Sequence, residues 1–314
     1  MSLLDTTTPV DPVDPSPPGE RVRPALPVRH LVAVLRPGQW PKNLLVVPLP
    51  LLDAPSWGMA TIGRVAAALL AFTLASSLVY VINDIVDRHR DQLHPQKRHR
   101  PIAAGLVSVP AAVLCAVLLA AGLGAFVAVS SALSWWPVLT YVLLNGVYSG
   151  GLKHVPLVDV FVVAAGFVLR LLQGYLATGH PVAGWLVICV LGLCLVLILG
   201  KRRHEVQNAG SGHRPALRSY TVQYLDQLLV LSATLTVVAY LMYLHAEARI
   251  GSAALLTAPC ALFAVFRYLQ VVLVERGGGD PVRVLLRDRT MVTNLAVWGL
   301  LLVGVAVLGH LPVR

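Results

Sequence analysis

Apolar runs of about twenty residues recur along this chain, and a run of that length is what a helix needs to cross the hydrocarbon core of a bilayer. They predict about nine spans, near residues 41–56, 61–86, 108–131, 135–150, 156–178, 182–200, 226–246, 252–274 and 290–310. The first is the most interrupted, because Pro41, Pro48 and Pro50 remove backbone donors from it. The chain is 56% hydrophobic and 13% charged, a balance that would leave large apolar patches on a water-soluble domain. The expected fold is therefore an all-α polytopic membrane protein, a helical bundle. Residues 1–27, rich in Pro and Asp and lacking the apolar core of a signal peptide, are expected to form a disordered cytoplasmic tail. Residues 28–314 form a single transmembrane domain.

Basic residues are retained on the cytoplasmic side during insertion, and here they alternate. Arg21, Arg23, Arg29, Arg36 and Lys42 precede or open the first span, and Arg88, Arg90, Lys97, Arg98 and Arg100 join the second and third. Lys153 follows the fourth; Lys201, Arg202, Arg203, Arg214 and Arg218 follow the sixth; Arg276, Arg283, Arg287 and Arg289 follow the eighth. The other loops hold little beyond Arg64 and Arg249. With an odd number of spans, the N-terminus is cytoplasmic and the C-terminus extracytoplasmic. The net charge of +10 thus gathers on one face, where it serves as a topology signal and anionic-lipid contact, as a phosphate-binding surface, or as both. It does not point to a nucleic-acid partner. Cys115, Cys189, Cys194 and Cys260 fall inside apolar spans without paired ligand spacing, which argues against a zinc site or a disulfide framework.

The segment NDIVDRHRDQLHPQKRHRPIAAG, Asn83 to Gly105, closes the second span. Asp84, Asp87 and Asp91 recur at i, i+3 and i+7, which predicts three carboxylates on one helical face. Like charges stacked so repel one another, whereas clustered hard oxygen donors suit Mg²⁺, which takes a few carboxylates together with substrate phosphates. Asn83 can coordinate or orient the same cluster. Lys97, Arg98 and Arg100 follow as candidate phosphate ligands, arginine by a planar fork and lysine as a point charge.

This motif resembles the first aspartate-rich motif of the UbiA superfamily of intramembrane prenyltransferases, and nine helices with the N-terminus inside match that family. Its members usually carry a second acidic motif after the sixth span. Here the corresponding loop reads GKRRHEVQNAGSGHRPALRSY, in which Lys201, Arg202 and Arg203 surround Glu205. With RPGQWPKN, Arg36 to Asn43, and YSGGLKHVPLVDVFVVAAGFVLR, Tyr148 to Arg170, this loop resembles the decaprenyl-phosphate phosphoribosyltransferase branch of actinobacteria. The resemblance implies a bacterial plasma-membrane enzyme with its active site facing the cytoplasm. It would transfer 5-phosphoribose from phosphoribosyl diphosphate to a polyprenyl phosphate, with Mg²⁺, in the synthesis of arabinogalactan and lipoarabinomannan precursors. It also admits a homo-oligomer.

On that reading Asp84 and Asp87, aided by Asn83 and Asp91, hold Mg²⁺ on the leaving diphosphate. Lys42, Lys97, Arg100, Lys153, Lys201, Arg202 and Arg218 are phosphate ligands, with Tyr148 and Tyr220 as hydrogen-bond donors. Extra cations in place of a second acidic motif suit a reaction that gathers a diphosphate, a 5-phosphate and a lipid phosphate. Glu205 either orients neighbouring cations, binds a ribose hydroxyl or makes a structural ion pair. Asp159 and Arg170 lie eleven residues apart in the fifth span, about 16 Å along one helical face. Asp159 is placed at the site, and Arg170, deeper, binds substrate or serves packing. Arg267 is expected to snorkel to the interface. Gly122, Gly124, Gly166 and Gly192 are expected to let helices approach closely. Two other readings compete: a prenyltransferase with an aromatic acceptor, and a transporter, whose signature would be internal repeats and polar residues at the midplane.

Overall fold

The computed structural model describes residues 28–47, 58–95, 97–130, 133–209, 215–247 and 252–309. The tail at 1–27, part of the first expected span, and Arg214 and Arg249 lie outside the described residues. The fold is helical throughout the described residues: α1 (Val28–Val34), α2 (Met59–Val86), α3 (Arg88–Gln92), α4 (Val109–Val129), α5 (Trp136–Gly150), α6 (Val158–Thr178), α7 (Gly184–Ala209), α8 (Val222–Ala246), α9 (Ala258–Leu273), α10 (Pro281–Arg287) and α11 (Arg289–Gly309). Among the described residues six helices are long and apolar enough to cross a membrane: α2, α4, α6, α7, α8 and the stretch Leu255–Leu273 that contains α9. The shorter α5, of 15 residues, and α11, of which the stretch Arg289–Val305 is apolar, occupy the fourth and ninth expected spans. The described start of the first expected span is a 3₁₀ helix, Pro37–Val46, with Pro41 inside it, in keeping with the donors that proline removes.

Local chemistry sets several helix ends. The Ser108 hydroxyl accepts the Ala111 N–H at 3.4 Å to open α4, and Thr221 Oγ1 accepts the Tyr224 N–H at 3.1 Å to open α8. Gly179, in the left-handed region at φ 73°, closes α6.

Two apolar cores share α6. One gathers Phe72, Ala75, Val138, Tyr141 and Leu169 from α2, α5 and α6. The other gathers Tyr175, Leu225, Leu229, Val272 and Met291 from α6, α8, α9 and α11. Small residues permit the closest approaches. A Cβ at Gly192 of α7 would meet Thr236 Oγ1 of α8 at 2.6 Å, and one at Gly200 would meet the Tyr268 hydroxyl at 2.6 Å. Gly122 and Gly124 differ from expectation, for nothing lies within 4 Å of a Cβ at either. They sit on α4, whose exposed Leu114, Val117 and Leu118 present an apolar surface of the kind a bilayer covers.

Candidate active site at one end of the bundle

The acidic segment sits where α2 gives way to α3. Asp87 forms the junction at φ −88°, ψ 3°, while the Asp87 and Asp91 N–H groups still donate to Asn83 O at 2.9 Å and Asp87 O at 2.8 Å. The three aspartates stay near one another without sharing one focus. Asp84 and Asp91 are buried and both bind Arg100, whose Nη1 lies 3.2 Å from Asp84 Oδ1 and 2.5 Å from Asp91 Oδ2. Asp87 pairs with Lys153 Nζ at 2.6 Å. Among the described residues no three His, Cys, Asp or Glu side chains converge closely enough to hold a metal ion. Asp87 ends α2, so the three aspartates do not continue along a single uninterrupted helix. The repulsion between their like charges is relieved by a cation at each carboxylate. Asn83 accepts a hydrogen bond from the Ser149 hydroxyl of α5.

Arg36, quoted in the RPGQWPKN motif but not singled out for the site, also binds Asp84. It stands at the N-terminus of the 3₁₀ helix with φ 53°, a left-handed conformation unusual outside glycine. Its guanidinium lies 5.1 Å from the Tyr80 ring centroid, within cation–π range. An Arg-Pro-Gly sequence was the available signal, since Pro37 restricts the residue before it.

A second polar group adjoins the first through the 3₁₀ helix Leu152–His154, which carries the buried Lys153. Asp159, fully buried near the start of α6, lies 2.9 Å from Arg202 Nε of α7, close enough for an ion pair though out of line for a hydrogen bond. Arg202 Nη1 also binds Glu205 Oε2 at 2.6 Å, so the ion-pair reading of Glu205 has a direct partner. The Tyr220 hydroxyl donates to Asp159 Oδ1 at 3.1 Å and accepts the Leu157 N–H at 2.5 Å. Burial pushes the Tyr220 phenol up to about 12, so it acts as a neutral donor at ordinary pH. Leu157 is held at φ 65°, and the Tyr220 hydroxyl fixes that strained turn. Tyr148 lies within electrostatic reach of Arg202.

Lys42 lies within electrostatic reach of Arg36 in the first group and of Lys201, the chain neighbour of Arg202 in the second. Burial first, then the charges of Lys201, Arg170 and Arg36, push its ammonium down to about 8, with Asp280 opposing them. An ammonium so surrounded by like charges is prepared for an anion. Lys97 opens a 3₁₀ turn, its N–H donating to the His94 ring at 3.4 Å. Arg218 lies exposed on the 3₁₀ helix Pro215–Ser219.

Arg170 is enclosed away from this rim. Its guanidinium donates to Asn43 Oδ1 at 2.8 Å, Gly166 O at 2.7 Å and Tyr141 Oη at 3.1 Å, and it lies over the rings of Tyr141, Phe167 and Phe72. Those bonds account for its burial and tie the 3₁₀ helix Pro37–Val46 to α5 and α6. Arg267, expected to snorkel, instead pairs with Asp288 at 2.7 Å and Glu275 at 2.7 Å.

Hard carboxylate and amide oxygens beside a rim of cations fit a magnesium-bearing polyphosphate, because Mg²⁺ uses one or two carboxylates and completes its shell with phosphate and water. Arg100 and Lys153 could pass from carboxylate to phosphate as such a ligand arrives, both being ordinary partners for either anion.

Comparisons with known proteins identify the chain's relatives. A family model described as the UbiA prenyltransferase family matches residues 53–283. The chain is 33% identical over 296 residues to the decaprenyl-phosphate phosphoribosyltransferase of Mycolicibacterium smegmatis, covering 86% of this chain and 90% of that one. It is 33% identical over 293 residues to the enzyme of that name in Mycobacterium tuberculosis, covering 88% and 93%. Among solved structures, a UbiA homolog from Archaeoglobus fulgidus bound to GPP and Mg²⁺ aligns with TM-score 0.65 at 20% identity, covering 89% of this chain and 98% of that one. The chain is a multi-pass membrane transferase and belongs to the UbiA prenyltransferase family.

Proposed function

We propose that this protein transfers 5-phosphoribose from phosphoribosyl diphosphate to decaprenyl phosphate or a similar polyprenyl phosphate, with Mg²⁺, in arabinan cell-wall precursor synthesis. One structural observation carries the reading: Arg36, Arg100 and Lys153 pair with the carboxylates of the acidic segment, Lys42 lies within electrostatic reach of Arg36 and Lys201, and Arg202 pairs with the buried Asp159. That is more positive charge than a single diphosphate requires. The names of the two mycobacterial relatives support the same chemistry. In this reading the bundle has nine spans, an N-terminal tail in the cytoplasm and a C-terminus outside, so the site opens to the cytoplasm of a bacterial plasma membrane.

Asp84 and Asp87, with Asn83 and Asp91, would hold Mg²⁺, which supplies Lewis-acid neutralisation of the departing diphosphate. Arg100, Lys153 and Arg36, exchanged from the carboxylates, bind phosphate oxygens and stabilise the charge that develops on the leaving group. The bond from the ribose anomeric carbon to the diphosphate oxygen breaks, its electron pair leaving with diphosphate. A lipid phosphate oxygen forms the new bond from the opposite face, with inversion. That phosphate is already an anion at neutral pH, so the protein need only position it, and Lys42, Lys201 and Arg202 are placed to do so.

The test is diphosphate release by the purified protein in detergent with Mg²⁺ and phosphoribosyl diphosphate, with and without decaprenyl phosphate. Release that requires the lipid, yields a labelled lipid product and is lost in Asp84→Asn is the expected result. Product formed instead from a prenyl diphosphate and an aromatic acceptor would overturn the donor assignment.

A further inference from the structure

Arg64 lies twenty residues before Asp84 on the same helix, about 30 Å away along its axis and so one bilayer thickness from the acidic site. It stands five residues into α2, about 7.5 Å from the helix start, a depth that places it near the boundary of headgroups and acyl chains. Its Nη2 donates to Thr61 Oγ1 at 3.2 Å, whereas its Nε is buried with no hydrogen-bond partner. A guanidinium nitrogen left so is costly in an apolar setting. The side chain borders a cavity of about 310 Å³ lined by Ala60, Gly63 and Ala67 of α2, with Val129, Ser130 and Leu133 at the far end of α4. Among the described residues the walls are small or apolar except for Arg64 and the Ser130 hydroxyl, and no acidic side chain lines the space.

The geometry points to a binding site for the headgroup of an anionic phospholipid, in the leaflet opposite the acidic site. The phosphodiester takes the Arg64 guanidinium, once its flexible stem turns Nε toward the cavity, and the Ser130 hydroxyl, while the first acyl carbons lie along Ala67, Val129 and Leu133. A charge-assisted hydrogen bond to phosphate satisfies the orphaned donor and is among the stronger polar contacts available. One fixed positive charge without an acidic neighbour among the described residues of the cavity wall favours a headgroup of net negative charge over a zwitterion. This site shares no residue with the transferase site, and the inference stands whatever the acceptor of the reaction proves to be.

The full chain, purified in neutral detergent, is titrated with phosphatidylglycerol, phosphatidylcholine or inorganic phosphate, and retained lipid is counted by native mass spectrometry. The wild type is expected to retain one more tightly held phosphatidylglycerol than Arg64→Gln, whose affinity at this site falls about tenfold. Arg64→Lys should recover part of it, and Asp84→Asn should bind as the wild type does. Ser130→Leu, which fills the cavity from its other wall and leaves Arg64 in place, should lose the same lipid; it serves if Arg64→Gln does not fold. Undiminished retention by both cavity variants would overturn the proposal. So would equal retention of phosphatidylcholine, or displacement of the lipid by inorganic phosphate at equal concentration.

Discussion

Replacing Arg202 by methionine removes the cation beside Asp159, whose side chain is 0% exposed. Breaking a buried ion pair from one side costs about 3–5 kcal/mol, because a charge is left without compensation. The opposite change, Asp159→Asn, should cost less, about 1–3 kcal/mol, since Arg202 keeps Glu205 at 2.6 Å and that carboxylate is 29% exposed and well solvated. The double variant should lose far less than the sum, with a coupling on the order of 1–3 kcal/mol. Unfolding free energies of the four proteins, measured by denaturant titration in mixed micelles, give the cycle directly. Effects additive to within about 0.5 kcal/mol, or a greater loss in Asp159→Asn than in Arg202→Met, would refute the view that a buried charge pair anchors α6 to α7.

Asp84→Asn and Asp87→Asn should each lower turnover on the order of 10²–10³-fold at saturating Mg²⁺, the scale for losing one group that stabilises developing charge; the steady-state rate of diphosphate release checks this. Lys42 carries its charge below about pH 8, so affinity for the polyprenyl phosphate it is proposed to position should fall as pH rises through that value. Lys42→Met should bind about tenfold more weakly at pH 7 and lose the pH dependence, as calorimetric titration would reveal. Asp288 accepts bonds from Arg267, Thr290 Oγ1 and the Met291 N–H, which hold its carboxyl well below the usual carboxylate range, Arg267 contributing most. A folded-state pKa below the unfolded one adds stability that is present above the unfolded value and fades as pH falls through the folded one. Asp288→Ala should therefore lower the melting temperature at pH 7, by a cap loss of about 1 kcal/mol, with a smaller difference in strong acid; differential scanning fluorimetry tests both points.

The bundle was legible because lipid imposes a length on every crossing helix, and α2, α4, α6, α7 and α8 lie close to the apolar runs that predicted them. The 3₁₀ helix Pro37–Val46 was the exception, although its three nearby prolines marked it as irregular. The acidic segment was legible as a place where carboxylates gather, because Asp84, Asp87 and Asp91 are close in sequence. How they are neutralised was not: Arg100 is nearby in the chain, but Lys153 and Arg36 arrive from other elements. Asp159 and Arg202 are separated by more than forty residues, and only the packing of α6 against α7 brings them together. Each was named alone without the other as partner. Gly122 and Gly124 mislead in the opposite direction, since a small residue permits close packing but does not bring a neighbour.

The enclosed guanidinium of Arg170 has a consequence for ion permeability. Among the described residues every partner recorded for it is uncharged, so it stands as an uncompensated positive charge about 16 Å deeper along α6 than Asp159. A polar rim cut into a membrane protein invites water toward the midplane, and with water comes a route for protons. An arginine fixed deeper along α6 would raise the electrostatic barrier to hydronium and to metal cations on any such route, as basic residues and helix dipoles do in selective pores. The cage of Tyr141, Phe167 and Phe72 thus holds a positive charge in place that disfavours any cation moving inward along α6.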